Sequence, residues 1–264
     1  MKSSNEEAIK HSFTLQSKKF ETGKLNFTEK KFLDFIVTNM QPQKTDTVLE
    51  VAAGTCACGC SLAPFVQNVT CLDMTSAMLT AGKETAEKQE LNNMTFVLGD
   101  AGELPFLNNS FDIVISRLAF HHFPDTAHSF DEMVRVLRPQ GKLVFIDMEA
   151  AEDKLRVVQD EIETMRDPSH VRNLSREEML MLYSGHSFKV ELCETMEIPT
   201  SASDWLNFTE TPVFTKQKLM ERFESDVNGM ERTGFYPYQT DKGIFFKQKW
   251  IFIIGRKPQG SVYE

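Results

Sequence analysis

Val48-Leu49-Glu50-Val51 running into Ala52-Ala53-Gly54-Thr55-Cys56 reads as a near-continuous apolar strand that ends in a turn of small residues. Strands of that kind are covered on both faces. Further apolar runs follow at Val69 to Asp73, Met94 to Leu98, Phe111 to Ser116 and Lys142 to Met148, with helical periodicity between several of them. In one such helix, opened by Pro124 and Asp125, the residues Phe130, Met133, Val134 and Leu137 recur at helical spacing, and Pro139 and Gly141 stop it. Alternation of this sort predicts an α/β, doubly wound, mostly parallel sheet with crossover helices. Ligands of such sheets bind outside the carboxyl ends of the strands, so the turn after Val51 is the place to look for chemistry.

Composition narrows the function classes. Of 264 residues, 41% are apolar and 25% charged, with 13 Gly and 10 Pro, which excludes collagen-like, low-complexity and disordered chains. A chain of this size hides about 70 to 75% of its unfolded surface, so its core needs neither disulfides nor a structural metal. The formal net charge of -9 repels a phosphate backbone and argues against nucleic acid as a partner. Cysteines number 5, three of them crowded into Cys56, Cys58 and Cys60, a poor geometry for pairing. Reduced intracellular thiols are expected. Met1 to Lys10 holds no apolar block and no run approaches the roughly 18 residues of a membrane span, so a soluble cytoplasmic protein is expected.

Beyond Met148 the character changes. Leu155, Val158, Ile162 and Met165 mark one face of a charged amphipathic helix, and Ser175-Arg176-Glu177-Glu178 spells a capping box that leads into Met179 to Tyr183, with Gly185 as the stop. Strand-like residues return at Phe188 to Cys193 and Ile244 to Gly255, and the aromatic segment from Trp205 to Tyr238 shows no clear period. The chain therefore divides into a core at about 45–150, an inserted helical or lid segment at about 151–240 and a last strand at about 244–255. No repeat or linker separates two autonomous domains, so one domain with an insertion is the economical reading.

Three ligand classes compete for the turn. Gly54, four residues, Gly59, Cys60 and Ser61 nearly spell a P-loop, but Cys60 stands where a lysine has to meet the terminal phosphates. A dinucleotide site finds its acidic residue in Asp73, nineteen positions past Gly54, yet the loop lacks G-x-G-x-x-G. Tyr238 and Lys242, the sole Tyr-x-x-x-Lys match, fall in turn sequence.

The third class explains more residues. Val48 to Cys56 resembles the first motif of class I S-adenosylmethionine (SAM) dependent methyltransferases, a Rossmann-like family, with Ala52 and Cys56 replacing the outer glycines of a G-x-G-x-G turn. A cysteine there strains a backbone that has to approach the cofactor closely. Cys71-Leu72-Asp73-Met74-Thr75-Ser76-Ala77-Met78, then Gly99-Asp100-Ala101-Gly102-Glu103-Leu104-Pro105-Phe106, then Arg117-Leu118-Ala119-Phe120-His121-His122-Phe123-Pro124-Asp125, and last Arg135 to Leu143 are similar to the family's later motifs in order and spacing. The likeness spans about residues 45–150 and is closest to the ubiquinone and menaquinone C-methyltransferase branch.

That resemblance implies a seven-stranded sheet with an antiparallel last strand and a SAM site built from Glu50, Ala52, Gly54, Thr55, Cys56, Asp73, Met74, Met78, Asp100, Ala101 and Arg117. Asp73 would hold the ribose hydroxyls, Met74 would flank adenine and Asp100 would accept from its amino group. It also implies methyl transfer to a small, partly apolar acceptor, with S-adenosylhomocysteine as the other product. His121 and His122 lie where the family loop passes the methyl, and imidazole suits a base near neutral pH, although a histidine after a strand is often only a structural partner. His170 and Arg172, in Asp167 to Ser175, together with Trp205 and Tyr236 are candidates for the acceptor. Turn formation and core packing are the plainer roles for these segments. No metal is called for, because Cys56, Cys58 and Cys60 lack the second ligand pair of a zinc site and the cysteines elsewhere that arsenite methyltransferases need. Ile115-Ser116-Arg117-Leu118 replaces the Asn/Asp-Pro-Pro-aromatic motif of base methyltransferases. The rival readings are a catalytically silent SAM-binding regulatory protein and an NAD(P)-binding oxidoreductase.

Overall fold

In the computed structural model, which describes residues 2–22 and 29–259, the apolar runs line up side by side. β1 (Thr47–Val51), β2 (Asn68–Asp73), β3 (Met94–Leu98), β4 (Phe111–Arg117), β5 (Leu137–Met148), β6 (Lys189–Ser201) and β8 (Gly243–Arg256) form one sheet in the order β3-β2-β1-β4-β5-β8-β6. The first five pair in parallel, and β8 runs antiparallel to both β5 and β6. This is the expected path. An eighth short strand, β7 (Tyr238–Thr240), folds back on β8 as a hairpin, so Tyr238 belongs to a strand rather than to the turn that its neighbours suggested.

Alternation along each strand feeds two cores. Val48, Ile113, Val144 and Phe252 face Leu33, Ile36 and Met40 of α2 (Lys30–Met40) together with α3 (Ala57–Leu62) and α4 (Ser76–Lys88). Leu49, Val114, Phe145 and Ile253 face Phe130 and Met133 of α5 (Thr126–Val136), and Met179 and Tyr183 of α7 (Arg176–Gly185). Each of these large side chains adds roughly 1.5–3 kcal/mol on burial, which is why the sheet is sandwiched. The Ser175–Glu178 capping box forms as its sequence dictates.

The rest departs from the sequence reading in three places. The segment from Trp205 to Tyr238 is not irregular: α8 (Ala202–Phe208) is capped by Ser201, and α9 (Val213–Val227) buries Leu219 and Phe223. Their short apolar stripes pack with α6 (Asp153–Arg166) and Phe246 into a separate small core. β6 runs eight residues past Cys193, carrying Pro199, which is tolerated because β6 is an edge strand. The third departure is α1 (Lys2–Thr22), which with α2 precedes the first strand. Its Ser12 hydroxyl and Gln16 amide both reach Asp167, at 3.1 and 3.3 Å. Among the described residues no helix is long and apolar enough to cross a membrane.

Candidate active site

At the end of β1 the backbone takes three left-handed residues at alternate positions, Ala52 (φ 54°), Gly54 (φ 53°) and Cys56 (φ 58°). Only glycine does so freely; each of the other two costs roughly 1–2 kcal/mol. Asp73, at the end of β2, holds the turn: its Oδ2 accepts from Gly54 N and its Oδ1 from Thr75 N, both at 2.8 Å. Burial raises the Asp73 pKa against the lowering effect of those two amide bonds. Strain of this kind, fixed by a neighbouring carboxylate, is what a preorganised ligand loop stores.

Cys56 is one of two exceptions among the expected cofactor residues. It is fully buried and does not line the cavity that opens above the turn. A Cβ placed on Gly82 of α4 would stand 2.6 Å from its sulfur, so the thiol is accommodated in the space that Gly82 leaves. Glu50 likewise lies behind the turn, accepting from Gly59 N at 2.7 Å with Cys71 Sγ at 3.6 Å, and burial lifts its pKa to about 7. Burial also pushes the Cys60 thiol up to about 12 and Cys58 well above its usual value, so these thiols stay protonated near neutral pH. Two substitutions test this packing. Cys56→Gly exchanges left-handed strain for a lost buried thiol, and we expect a melting temperature within a few degrees of the parent and undiminished cofactor affinity. Gly82→Ala drives a methyl into Cys56 and, at 3.0 Å, into Thr55 O; it should cost about 1–3 kcal/mol and weaken cofactor binding, with part of the loss recovered in the Cys56→Gly background by thermal melts.

The cavity is continuous. One half is walled by Ala52, Gly54, Thr55, Asp73, Met74, Met78, Asp100, Ala101 and Arg117, the other by His121, His122, Glu163, Arg166, Asp167, His170 and Phe208, with Ile9, Phe13 and Gln16 of α1 also on its lining. All of the expected cofactor residues except Glu50 and Cys56 are thus brought together. Asp100 is exposed and accepts from Gly102 N at 2.8 Å. Arg117 Nη1 is buried with no hydrogen-bond partner. A buried guanidinium nitrogen left unsatisfied is costly, and a ligand carboxylate would satisfy it. Two acids for hydroxyl and amino groups and one cation for a carboxylate suit an adenosyl amino acid.

In the other half, His121 and His122 occupy a short 3-10 turn after β4 with ring centroids 4.1 Å apart. His121 Nδ1 meets Asp147 Oδ1 of β5 at 2.6 Å, and Asp147 also accepts from Phe120 N and Met148 N, each at 2.7 Å. Burial opposes a charged His121, but the Asp147 carboxylate outweighs it and raises the pKa above 6.5. His122 behaves oppositely: burial and the neighbouring His121 charge hold it down at about 3. Its Nδ1 lies 3.1 Å from Ser169 Oγ, which donates to Asp167 at 2.6 Å, so the hydroxyl accepts from the ring. His170 Nε2 meets Asp160 at 2.9 Å, while its Nδ1 is buried and unpartnered.

The remaining acceptor candidates separate. Arg172 turns its guanidinium to Glu178 at 2.7 Å and contributes only its backbone N–H, which bonds His121 O; it does not line the cavity. Trp205 is wholly buried in the small core beneath Arg166, whose guanidinium lies 4.2 Å from the ring. Tyr236, 56% exposed, lines a second cavity. The sequence reading overlooked Asp147, Glu163, Arg166 and the cover supplied by α1. A carboxylate inside the apolar run Val144-Phe145-Ile146-Asp147-Met148 was the available signal.

Sheet order, turn and cavity together define a class I methyltransferase. Comparison with known proteins agrees. Residues 49–145 match the methyltransferase domain family. The chain is 28% identical over 233 residues to the uncharacterized methyltransferase YcgJ of Bacillus subtilis, covering 88% of this chain and 92% of that one. The crystal structure of YcgJ superposes with a TM-score of 0.79 at 27% identity over 86% of this chain and 98% of that one. Similarity extends to the uncharacterized protein YafE of Escherichia coli, 35% identical over 56% of this chain and 72% of its own. It also extends to the demethylmenaquinone methyltransferase of Listeria welshimeri, 38% identical over 41% of this chain and 47% of its own. Residues 49–145 are a methyltransferase domain, and the chain is a methyltransferase of the class I fold.

Proposed function

We propose that this enzyme binds SAM between Asp73, Asp100 and Arg117 and methylates a small molecule bearing an acidic hydroxyl or enol, with His121 as the base. Bound there, SAM supplies an electrophilic methyl on a sulfonium. Asp73 takes the ribose hydroxyls, Met74 and Met78 flank the adenine with Ala101, and Asp100 accepts from the adenine amino group. Arg117 pairs with the carboxylate. Ala52, Gly54 and Thr55 offer backbone to the cofactor, while Glu50 and Cys56 support the turn from behind. The acceptor lies against His121, His122 and His170. His121 Nε2 takes the acceptor proton as the acceptor oxygen, or the carbon conjugated to it, bonds the methyl and the carbon–sulfur bond breaks, leaving S-adenosylhomocysteine.

The observation that carries this reading is His121 on the lining of the same cavity as Arg117, backed from outside that lining by Asp147. Asp147 fixes Nδ1 as the donor, which leaves Nε2 as the basic nitrogen, and at such a site most of the remaining rate comes from holding the reactants about 3–3.5 Å apart. Neutral His122 serves to orient the acceptor rather than to ionise it. Gln16 and Phe13 of α1, the latter edge-on to His122 at 5.0 Å, exclude water. The test is transfer of labelled methyl from SAM to phenols, enols, amines and thiols. Turnover of the first two classes, rising with pH through a midpoint above 6.5, is expected. Turnover of thiols alone, or a profile flat across that range, would overturn it.

A further inference from the structure

A second cavity lies behind the first, and the two share Met148, Glu163 and Gln248 on their linings. The partition is lightly held, since Gln248 Nε2 donates only to the Met148 sulfur, at 3.3 Å, and a thioether is a weak acceptor. On the far side the chemistry changes. Asn173 is 1% exposed and lines this cavity, and its side-chain carbonyl oxygen meets no donor. Glu149, Asp153 and Glu177 line it too, and none forms an ion pair or side-chain hydrogen bond among the described residues. Of the cations on the lining, Arg176 is turned to Thr195 and Cys193 O, both at 3.3 Å, and Lys247 to Glu197 at 2.6 Å. Glu152 lies on the lining as well, so four carboxylates outside the Glu163–Arg166 pair face two cations that no carboxylate partners among the described residues, Arg176 and Lys249. Phe235, Phe246 and Tyr236 add aromatic faces, the Tyr236 hydroxyl being bonded to Glu152.

A buried acceptor oxygen without a donor, surplus carboxylates and aromatic faces all favour the same occupant, a cation. We propose that the second cavity receives an ammonium group on the far end of the methyl acceptor, which passes the Met148–Gln248 partition while its acidic end faces His121. The enzyme's substrate is then an amine-bearing phenol or enol, and Asn173 and Tyr236 are specificity residues. The proposal rests on the first cavity being the acceptor site, so its test is run with the cofactor product in place.

Calorimetry on the enzyme saturated with S-adenosylhomocysteine compares tyramine, 4-ethylphenol and 3-(4-hydroxyphenyl)propionate, which differ only in the tail. Tyramine should bind at least tenfold more tightly than the other two. Asn173→Leu, and separately the surface pair Glu149→Gln/Glu177→Gln, should erase most of that preference with affinity for S-adenosylhomocysteine unchanged. Equal binding of the three, preference for the carboxylate, no binding of tyramine, or a preference that survives both variants overturns the proposal. Failure of S-adenosylhomocysteine itself to bind would instead contradict the cofactor site, independently of the tail.

Discussion

Asp73→Ala should weaken S-adenosylhomocysteine binding by 100-fold or more while leaving a folded protein. The carboxylate is asked to hold two ribose hydroxyls, and hydrogen bonds to a charged group contribute about 1.5–3 kcal/mol each, so losing both gives roughly 10²- to 10⁴-fold. It also accepts the Gly54 and Thr75 amides that keep the turn in its left-handed path, so the variant loses preorganisation as well as contact. The β1 and β2 cores do not depend on it, and the melting temperature should fall by only a few degrees. Calorimetry paired with a thermal melt separates the two effects. An unchanged dissociation constant would remove Asp73 from the cofactor site.

The second large effect falls on the histidine. His121→Asn should lower kcat by about 10²- to 10⁴-fold, the range for a positioned acid or base, with little change in cofactor affinity. Asp147→Asn is the more discriminating variant. The carboxylate raises the His121 pKa and is itself held below its ordinary value, where burial is outweighed by the His121 charge and the amide bonds. Removing its charge should therefore move the acid limb of kcat/KM to lower pH and reduce kcat, because a weaker base is poised at that site. A purely structural role for Asp147 would lower stability without moving the limb. The sign for stability is separate. Because the His121 pKa is raised on folding, its contribution is full below 6.5 and is lost as pH climbs through the folded value. Because the Asp147 pKa is depressed, its contribution is present above 3.8 and is lost as pH falls through the folded value. The pair thus stabilises the fold between those limits and weakens on either side, which melts across pH would reveal.

The sheet was legible because the strands that build it are covered on both faces, so their composition alone marks them. That Asp73, Asp100 and Arg117 share one cavity was legible for a related reason, since each lies at or just beyond a strand end, where the chain order of the motifs fixes their neighbourhood. Cys56 shows the limit of that logic. Its position in the turn was right, yet Gly82, on another helix, decides where the thiol goes. The other half of the cavity was less legible because it is assembled from α1, α6 and the loop after α6, whose apolar stripes are short and whose polar lining includes buried charges, Glu163 and Arg166 among them. Such charges in a helix read as a solvated face until the packing is known. Trp205 was misread for the opposite reason, an aromatic residue that looks like a pocket wall but closes the small core under Arg166.

Isothermal calorimetry of the reduced protein with S-adenosylhomocysteine, with NADH as the control, tests the central claim most directly. Saturable one-to-one binding of S-adenosylhomocysteine, weakened at least 100-fold by Asp73→Ala, with no heat from NADH, is the expected result. Binding of NADH with none of the adenosyl ligand would contradict the methyl-transfer site and restore the dinucleotide reading of the turn.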